Sequence, residues 1–380
     1  NSAGRIIREI SRVDSKKGKD LKLTLDLRLQ TYALDLLNVH KAGSIVVMNI
    51  ENGHILCMAS TPSYNPNKII KKPNKEYWRT ILQNELSPLT FRSIQGLYAP
   101  GSTFKMIVAI AALYYGVIDT NSSHNCSGKI SLGDRLYHCW KNNGHGSLSV
   151  VGAIQQSCDV FFYEISKKIG IDKIAEVAKD FGLGKIYDIP LKNQKLGIIP
   201  SKKWKKQNLD ESWYPGETLI SAIGQGFVLT NPLQLANMTS IIASDGKIIH
   251  PKIIIDGTSQ NNENLDKYKT AINIIKSSMF KVVNEVKGTA FKSKSDEILF
   301  SGKTGTSQVR RITVAERESD DFRKKEVEWN KRDHALFVGY MPHDKPKYSI
   351  SVVIEHGGSG ASTAAPIAKK IFQFINNIKI

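Results

Sequence analysis

Three short stretches of this 380-residue chain bring together residue types that acyl transfer to a serine would use. The first, "APGSTFKM", carries Ser102 and Lys105 just ahead of the apolar run Ile107 to Leu113. A serine hydroxyl attacks poorly until a base takes its proton, and residues three apart share a helix face. Lys105 can therefore sit one turn from Ser102 and reach its hydroxyl. Serine after a Pro-Gly turn is equally a good helix N-cap. Ser-x-x-Lys also recurs at Ser244 to Lys247 and Ser278 to Lys281, so the spacing alone leaves both readings open.

The second stretch, "QQSCDVFFYEI", puts Ser157 and Asp159 at the start of an apolar helix, where either would also serve as a cap. The third, "FSGKTGTSQV", has Lys303, Thr304, Gly305 and Thr306 closing a strand, which a plain glycine turn would explain as well. A fourth constellation is Cys126, Cys139, His145 and Cys158, spaced C-x12-C-x5-H-x12-C. Three thiolates and one imidazole make a tetrahedral set for structural Zn²⁺. The rival is a disulfide, which would use two of these cysteines and leave the third unpaired. His124 and His138 are weaker substitute ligands. Cys57 lies inside an apolar strand and reads as core.

The elements that must position these residues are legible in part. Leu21 to Leu25 alternates like a strand, and Asp26 is placed to cap a helix running to about Asn38. "GSIVVMNIENGHILCMAS" predicts a hairpin turning at Asn52-Gly53. From about 102 to 245 the periodicity is mainly helical, broken by a polar loop between 121 and 149 and an irregular stretch between 190 and 216. A helix is expected from about 271 to 286, and strands over Ile298 to Lys303, His334 to Met341 and Tyr348 to Glu355. A last helix covers about Ala364 to Asn377. Strands at both ends with helices between predict an α+β fold. Its antiparallel sheet is assembled from N- and C-terminal segments, and the helical middle forms a second lobe.

Composition narrows the class. With 41% hydrophobic residues the chain is globular, and 53 Lys and Arg against 35 Asp and Glu give a net charge of +18. The charge clusters at Lys16 to Lys19, Lys68 to Lys75, Lys202 to Lys206 and Arg323 to Arg332. Most of these read as solvated surface, and no nucleic-acid-binding signature accompanies them, so nucleic acid is not an expected partner. No run approaches the roughly 18 apolar residues of a membrane span. The chain opens at Asn1 without Met, and is expected to be the soluble part of a longer, anchored protein.

S-x-x-K at a helix start, then S-x-D, then K-T-G on a late strand is the ordered set of penicilloyl serine transferases. The chain resembles the transpeptidase domain of class B penicillin-binding proteins, and within them the elongation-type, penicillin-binding protein 2 group. The likeness runs through "LTLDLRLQ", "PSYNPN", "GLYAPGSTFK", "GQGFVLTNPLQLA", "VKGTA", "SGKTGTSQV", "DHALFVGYMP" and "EHGG". It implies a serine β-lactamase/D,D-peptidase-like fold over residues 21–380, with 1–20 the remnant of a non-catalytic pedestal. It implies a D,D-transpeptidase that cross-links peptidoglycan stem peptides through a Ser102 acyl-enzyme, releases D-Ala, and is acylated by β-lactams. Lys105 would be the base, Ser157 the proton relay, and the N–H groups of Ser102 and Thr306 the oxyanion donors. Lys303, Thr304 and Thr306 would hold the substrate carboxylate beside Gly305. Asp159 stands where many relatives have Asn, and a carboxylate there would favour the protonated forms of Lys105 and Lys303. The resemblance favours zinc over a disulfide. It also implies a membrane anchor, the periplasmic face of the inner membrane, and as partners a SEDS-family glycosyltransferase and elongation scaffold proteins. A β-lactam sensor and a serine β-lactamase are the alternatives.

Overall fold

The computed structural model describes residues 8, 11–70, 74–255, 257, 260, 263–310 and 327–379. The start of the 1–20 segment and parts of the basic stretches 68–75 and 323–332 lie outside the described residues. Residues 11–20 are exposed and belong to no helix or strand.

Asp26 caps α1 (Leu27–Asn38), accepting from the Arg28 and Leu29 N–H groups, and Leu29, Ala33 and Leu37 form its buried stripe. The hairpin follows as β1 (Gly43–Asn49) and β2 (Ile55–Thr61). The strand expected over 21–25 reduces to a single antiparallel bridge between Leu23 and Ile254. Thr24 explains this, because its hydroxyl and N–H are spent on the carbonyls of Ile55, Lys252 and Ile253, which pin the segment at one point.

The helical lobe contains α2 (Lys105–Tyr114), α3 (Asp159–Ile169) and α4 (Pro232–Ala243), followed by α5 (Lys269–Asn284). The sheet then resumes with β3 (Ser301–Ser307), β4 (His334–Met341) and β5 (Tyr348–Ile354), and α6 (Ala365–Ile378) ends the fold. The five strands run in the order β2-β1-β5-β4-β3, every neighbouring pair antiparallel. The expected joining of N- and C-terminal segments in one sheet is thus the pairing of β1 with β5. Helices α1 and α6 cover one face, and α4 lies against β1, β4 and β5 on the other. All twelve residues of α4 are buried, so the helix is the hub between sheet and lobe. Its hydroxyl side chains find partners, as where Ser240 Oγ meets Ser349 Oγ at 2.7 Å and Thr239 Oγ1 donates to Leu235 O.

Three expectations need correction. The "loop" at 121–149 holds two small ribbons, Ser123–Cys126 paired with Gly146–Ser149 and Lys129–Leu132 paired with Arg135–His138. Each strand has four residues and little apolar alternation, so no periodicity announces it. The irregular stretch 190–216 contains a helix, Lys202–Leu209, capped by the Ser201 hydroxyl on the Trp204 N–H. The late strand begins at Ser301, not Ile298. Ile298 and Phe300 are buried by packing, but the register with β4 starts at Ser301 opposite Tyr340. Lys303 to Thr306 therefore sit inside the strand instead of closing it.

The edge strand β3 is clamped where glycines meet. A Cβ on Gly360 would overlap the carbonyl oxygens of both Gly305 and Leu336. Gly360→Ala should lower unfolding free energy by about 1–3 kcal/mol, the ordinary cost of overpacking. Chemical denaturation of the two proteins checks this, and equal midpoints and slopes would contradict the close approach.

Candidate active site

Ser102 lies in a one-turn 3-10 segment, Gly101–Thr103, that leads into α2. Its hydroxyl caps neither element, so the capping alternative fails on geometry. Ser102 is half-buried, whereas Lys105 is fully buried at the first turn of α2. Gly101 has φ +55°, and a Cβ there would lie 2.5 Å from the Thr306 carbonyl oxygen. Only glycine allows this turn to rest on the backbone of β3. On its other side Gly101 N–H donates to the Gly224 carbonyl at 2.9 Å.

Ser157 is held between helices in a left-handed conformation, φ +56°. It follows the helix Val150–Gln155, with Ser157 N–H returning to Ile154 O and Cys158 N–H to Ala153 O. That is a Schellman ending with serine where glycine is usual, a conformation with a cost of about 1–2 kcal/mol for an L side chain. The position aims Ser157 Oγ at two lysines, 3.3 Å from Lys105 Nζ and 2.9 Å from Lys303 Nζ. Lys105 Nζ also donates to the Ser157 carbonyl at 2.9 Å and to Asp159 Oδ1 at 2.6 Å. Its three donors go to Ser157 and Asp159, and the expected reach to the Ser102 hydroxyl is not among them. Asp159 Oδ2 in turn accepts from the Trp140 N–H at 2.9 Å.

Lys303 is also fully buried, and its remaining bond goes to the Thr304 carbonyl at 3.1 Å. Burial, and next the Lys105 charge, push its pKa well below the ordinary 10.5, with Asp159 pulling the other way. Asp159 raises the Lys303 pKa, as a carboxylate there should, but desolvation outweighs it.

The edge strand offers backbone as well as side chains. Thr306 O accepts from Gln225 Nε2 at 3.1 Å, and Thr304 O from Lys303 Nζ. In an antiparallel ladder a residue's N–H and C=O point to the same side. The N–H groups of Thr304 and Thr306 thus also face away from β4, toward the Ser102 turn. Thr304 Oγ1 lies 2.7 Å from Thr289 Oγ1, and Thr306 is exposed. Thr289, Gln225 and Trp140 were not singled out by residue type. The first two lie in "VKGTA" and "GQGFVLTNPLQLA", where a signal was available. The other two Ser-x-x-Lys strings are inert, since Ser244 Oγ donates to Ile241 O and Lys247 O and Ser278 Oγ to Ile274 O.

Next to Ser157 the four expected ligands converge. The donor atoms of Cys126, Cys139, His145 and Cys158 all lie within 4.8 Å of one another. His145 Nδ1 is 3.6 Å from Cys126 Sγ and 3.5 Å from Cys139 Sγ. All four cysteines are buried free thiols, so no disulfide forms. Hydrogen bonding from Cys158, then from His145, holds the Cys139 thiol down, while the same pairing and burial push Cys158 up. His124 instead packs edge-on against Phe161, 5.3 Å between centroids.

The Penicillin binding protein transpeptidase domain family matches residues 43–373. The chain belongs to this family. Haemophilus influenzae peptidoglycan D,D-transpeptidase MrdA is 33% identical over 100% of this chain and 60% of its own length. Among solved structures, Helicobacter pylori PBP2 in complex with MreC aligns with TM-score 0.85 at 30% identity, covering 100% of this chain and 68% of that one. Pseudomonas aeruginosa PBP2 in complex with WCK 5153 aligns at 0.83 and 34%, covering 94% and 78%. The chain spans about 60% of the length of that curated relative. The Ser102 turn, the lysine pair and the edge strand all fall inside the family match.

A buried lysine with a depressed pKa leaves a signature in stability. Folded protein binds fewer protons at Lys303 than unfolded protein does between the depressed pKa and 10.5. Stability there rises with pH, by up to about 1.4 kcal/mol per pH unit. In urea melts the wild-type minus Lys303→Met difference should grow as pH rises from the depressed pKa toward 10.5. A difference that stays flat would mean that Lys303 is charged in the fold.

Proposed function

We propose that this chain is the catalytic part of a peptidoglycan D,D-transpeptidase of cell elongation. The observation that carries this reading is the Ser157 hydroxyl between two buried lysines, beside the Ser102 turn and the open edge of β3. A stem peptide would lie along β3 as an added strand, its carbonyl oxygen between the N–H groups of Ser102 and Thr306. Its terminal carboxylate would sit by Lys303, Thr304 and Thr306, next to Gly305. Ser102 would attack the penultimate D-Ala carbonyl and D-Ala would leave. An amine of a second stem would then take the acyl group, and β-lactams would acylate the same oxygen.

The proton route follows from the two lysines. Lys105 is ion-paired with Asp159, and burial lowers the pKa of Lys303. A carboxylate arriving at Lys303 favours a positive charge there. Lys105 would pass a proton to Ser157 Oγ as Ser157 gives its own to Lys303. Lys105 is then neutral and accepts the Ser102 proton; Ser157 gives its own proton to the leaving amine as Lys105 replaces it. Incubation with a labelled penicillin should give a long-lived adduct that mass spectrometry places on Ser102 and that Ser102→Ala abolishes. Label retained in Ser102→Ala, or an adduct hydrolysed within seconds as a lactamase would do, refutes the reading.

We assign the cysteine cluster to one structural Zn²⁺. Zn–S bonds of about 2.3 Å and a Zn–N bond of about 2.05 Å at tetrahedral angles set sulfur and nitrogen about 3.6 Å apart. The two sulfur–nitrogen separations here, 3.6 and 3.5 Å, match that edge. The ion would supply cross-linking of the 126–158 segment and no chemistry at the scissile bond. Cys139 precedes Trp140, whose N–H holds Asp159, and Cys158 separates Ser157 from Asp159. Stripping metal with a strong chelator should lower both the melting temperature and the acylation rate. Equal values with and without chelator would sink the assignment.

By family likeness we place the site on the periplasmic face of the inner membrane. Among the described residues no helix is long and apolar enough to cross a membrane, and an upstream anchor would hold the domain there. Residues 1–20 would be the end of a pedestal and 21–380 the transpeptidase domain. Its partners would be a SEDS-family glycosyltransferase and an elongation scaffold of the MreC kind, as in the Helicobacter pylori complex.

A further inference from the structure

We propose that Thr289 is a positioning residue that turns the Thr304 hydroxyl toward the substrate carboxylate. The inference rests on the transpeptidase reading and deepens it, since it names a residue that sets carboxylate recognition. Thr289 and Thr304 approach to 2.7 Å through their Oγ1 atoms, and either can donate. Each hydroxyl has one hydrogen, so only one of the two can point across the gap. If Thr304 donates to Thr289, it has no proton left for a ligand. A carboxylate is the stronger acceptor, because hydrogen bonds to an ionised group are about twice as strong as neutral ones. Thr304 then donates to the carboxylate and Thr289 donates to Thr304, and each bond polarises the other.

Thr289 is held for this task from two sides. Its N–H donates to Gln155 O at 3.3 Å, and Gln155 Nε2 is tied to Glu285 Oε2 at 2.9 Å. Ahead of it, Gly288 lies so close to the last turn of α5 that a Cβ would overlap the Lys281 and Val282 carbonyl oxygens. Ala290 N–H returns to Val282 O at 3.0 Å, closing the loop behind it. The sequence "VKGTA" thus places one hydroxyl against one hydroxyl of β3. Gln155 stands two residues before Ser157, so the same anchor serves the relay serine.

Acylation rate constants for benzylpenicillin and its methyl ester, which lacks the carboxylate, test the assignment. In wild type the acid should react faster than the ester. Thr289→Val should slow the acid about ten-fold and leave the ester nearly unchanged, the loss expected for one hydrogen bond to a charged group. Thr289→Ser, which keeps the hydroxyl, should restore the acid rate. Equal slowing of acid and ester, or an unchanged acid rate in Thr289→Val, overturns the proposal, as does no recovery in Thr289→Ser. Where Thr289→Val does not fold, Thr289→Ala gives the same comparison. A wild type that is not acylated at Ser102 by the acid refutes the transpeptidase reading itself, before any variant is compared.

Discussion

Two fully buried lysines converge on one serine hydroxyl, and this is the constraint that the surrounding structure serves. Taking an ammonium out of water costs several kcal/mol after relaxation, and two together add mutual repulsion. A single carboxylate, Asp159, compensates one of them. For the other, Lys303, burial lowers the pKa, so its charged form is the less favoured one. An arrangement of this kind survives only where the chain over-determines it. Lys105 is fixed by α2, Lys303 by the edge strand, and Ser157 by a strained helix ending, three segments far apart in sequence. The lobe and the sheet meet here because neither holds the pair alone.

That convergence explains how glycine is used. The turn before Ser102 must touch the backbone of β3, and Gly101 and Gly224 remove the side chains that would hold it away. Gly305 leaves room for Pro100 O and Thr103 of the same turn, and Gly360 lets another backbone segment approach the Gly305 and Leu336 carbonyls. Each contact gives up side-chain packing and gains proximity between main-chain groups. Proximity is what an oxyanion site needs, since backbone N–H groups fixed by packing require no reorganisation when charge develops.

The legibility of the sequence divides along the same line. Where an apolar stripe or a continuous apolar run carries the burial, as in α1 and α5 or in the β1–β2 hairpin, β4 and β5, pattern reading places the elements within a few residues. Where function replaces packing, it slips. Strand β3 is Ser-Gly-Lys-Thr-Gly-Thr-Ser, without one large apolar side chain, and the apolar triplet ahead of it drew the expected strand too early. The ribbons between 121 and 149 are invisible for a related reason. Their strands bury little, and their organising feature is the convergence of three thiols and an imidazole, which spacing reveals and hydropathy does not. The lysine pair was legible as residue types, but its division of charge was not, because desolvation depends on the packed environment.

The cysteine–histidine cluster and the lysine pair share a backbone, and this couples the two. Ser157, Cys158 and Asp159 are consecutive, so the hydroxyl between the lysines, a cluster thiol and the carboxylate on Lys105 cannot move independently. Trp140, next to Cys139, closes the loop from the other side with an N–H on Asp159 and an indole N–H on the Ser157 carbonyl at 3.0 Å. That carbonyl already accepts from Lys105, so the ribbon, the helix start and the buried ammonium meet at one oxygen. A left-handed serine stores strain that any loosening of the 126–158 segment would release. Through this shared backbone a metal at the cysteines, as proposed above, would bear on Ser157 by geometry alone.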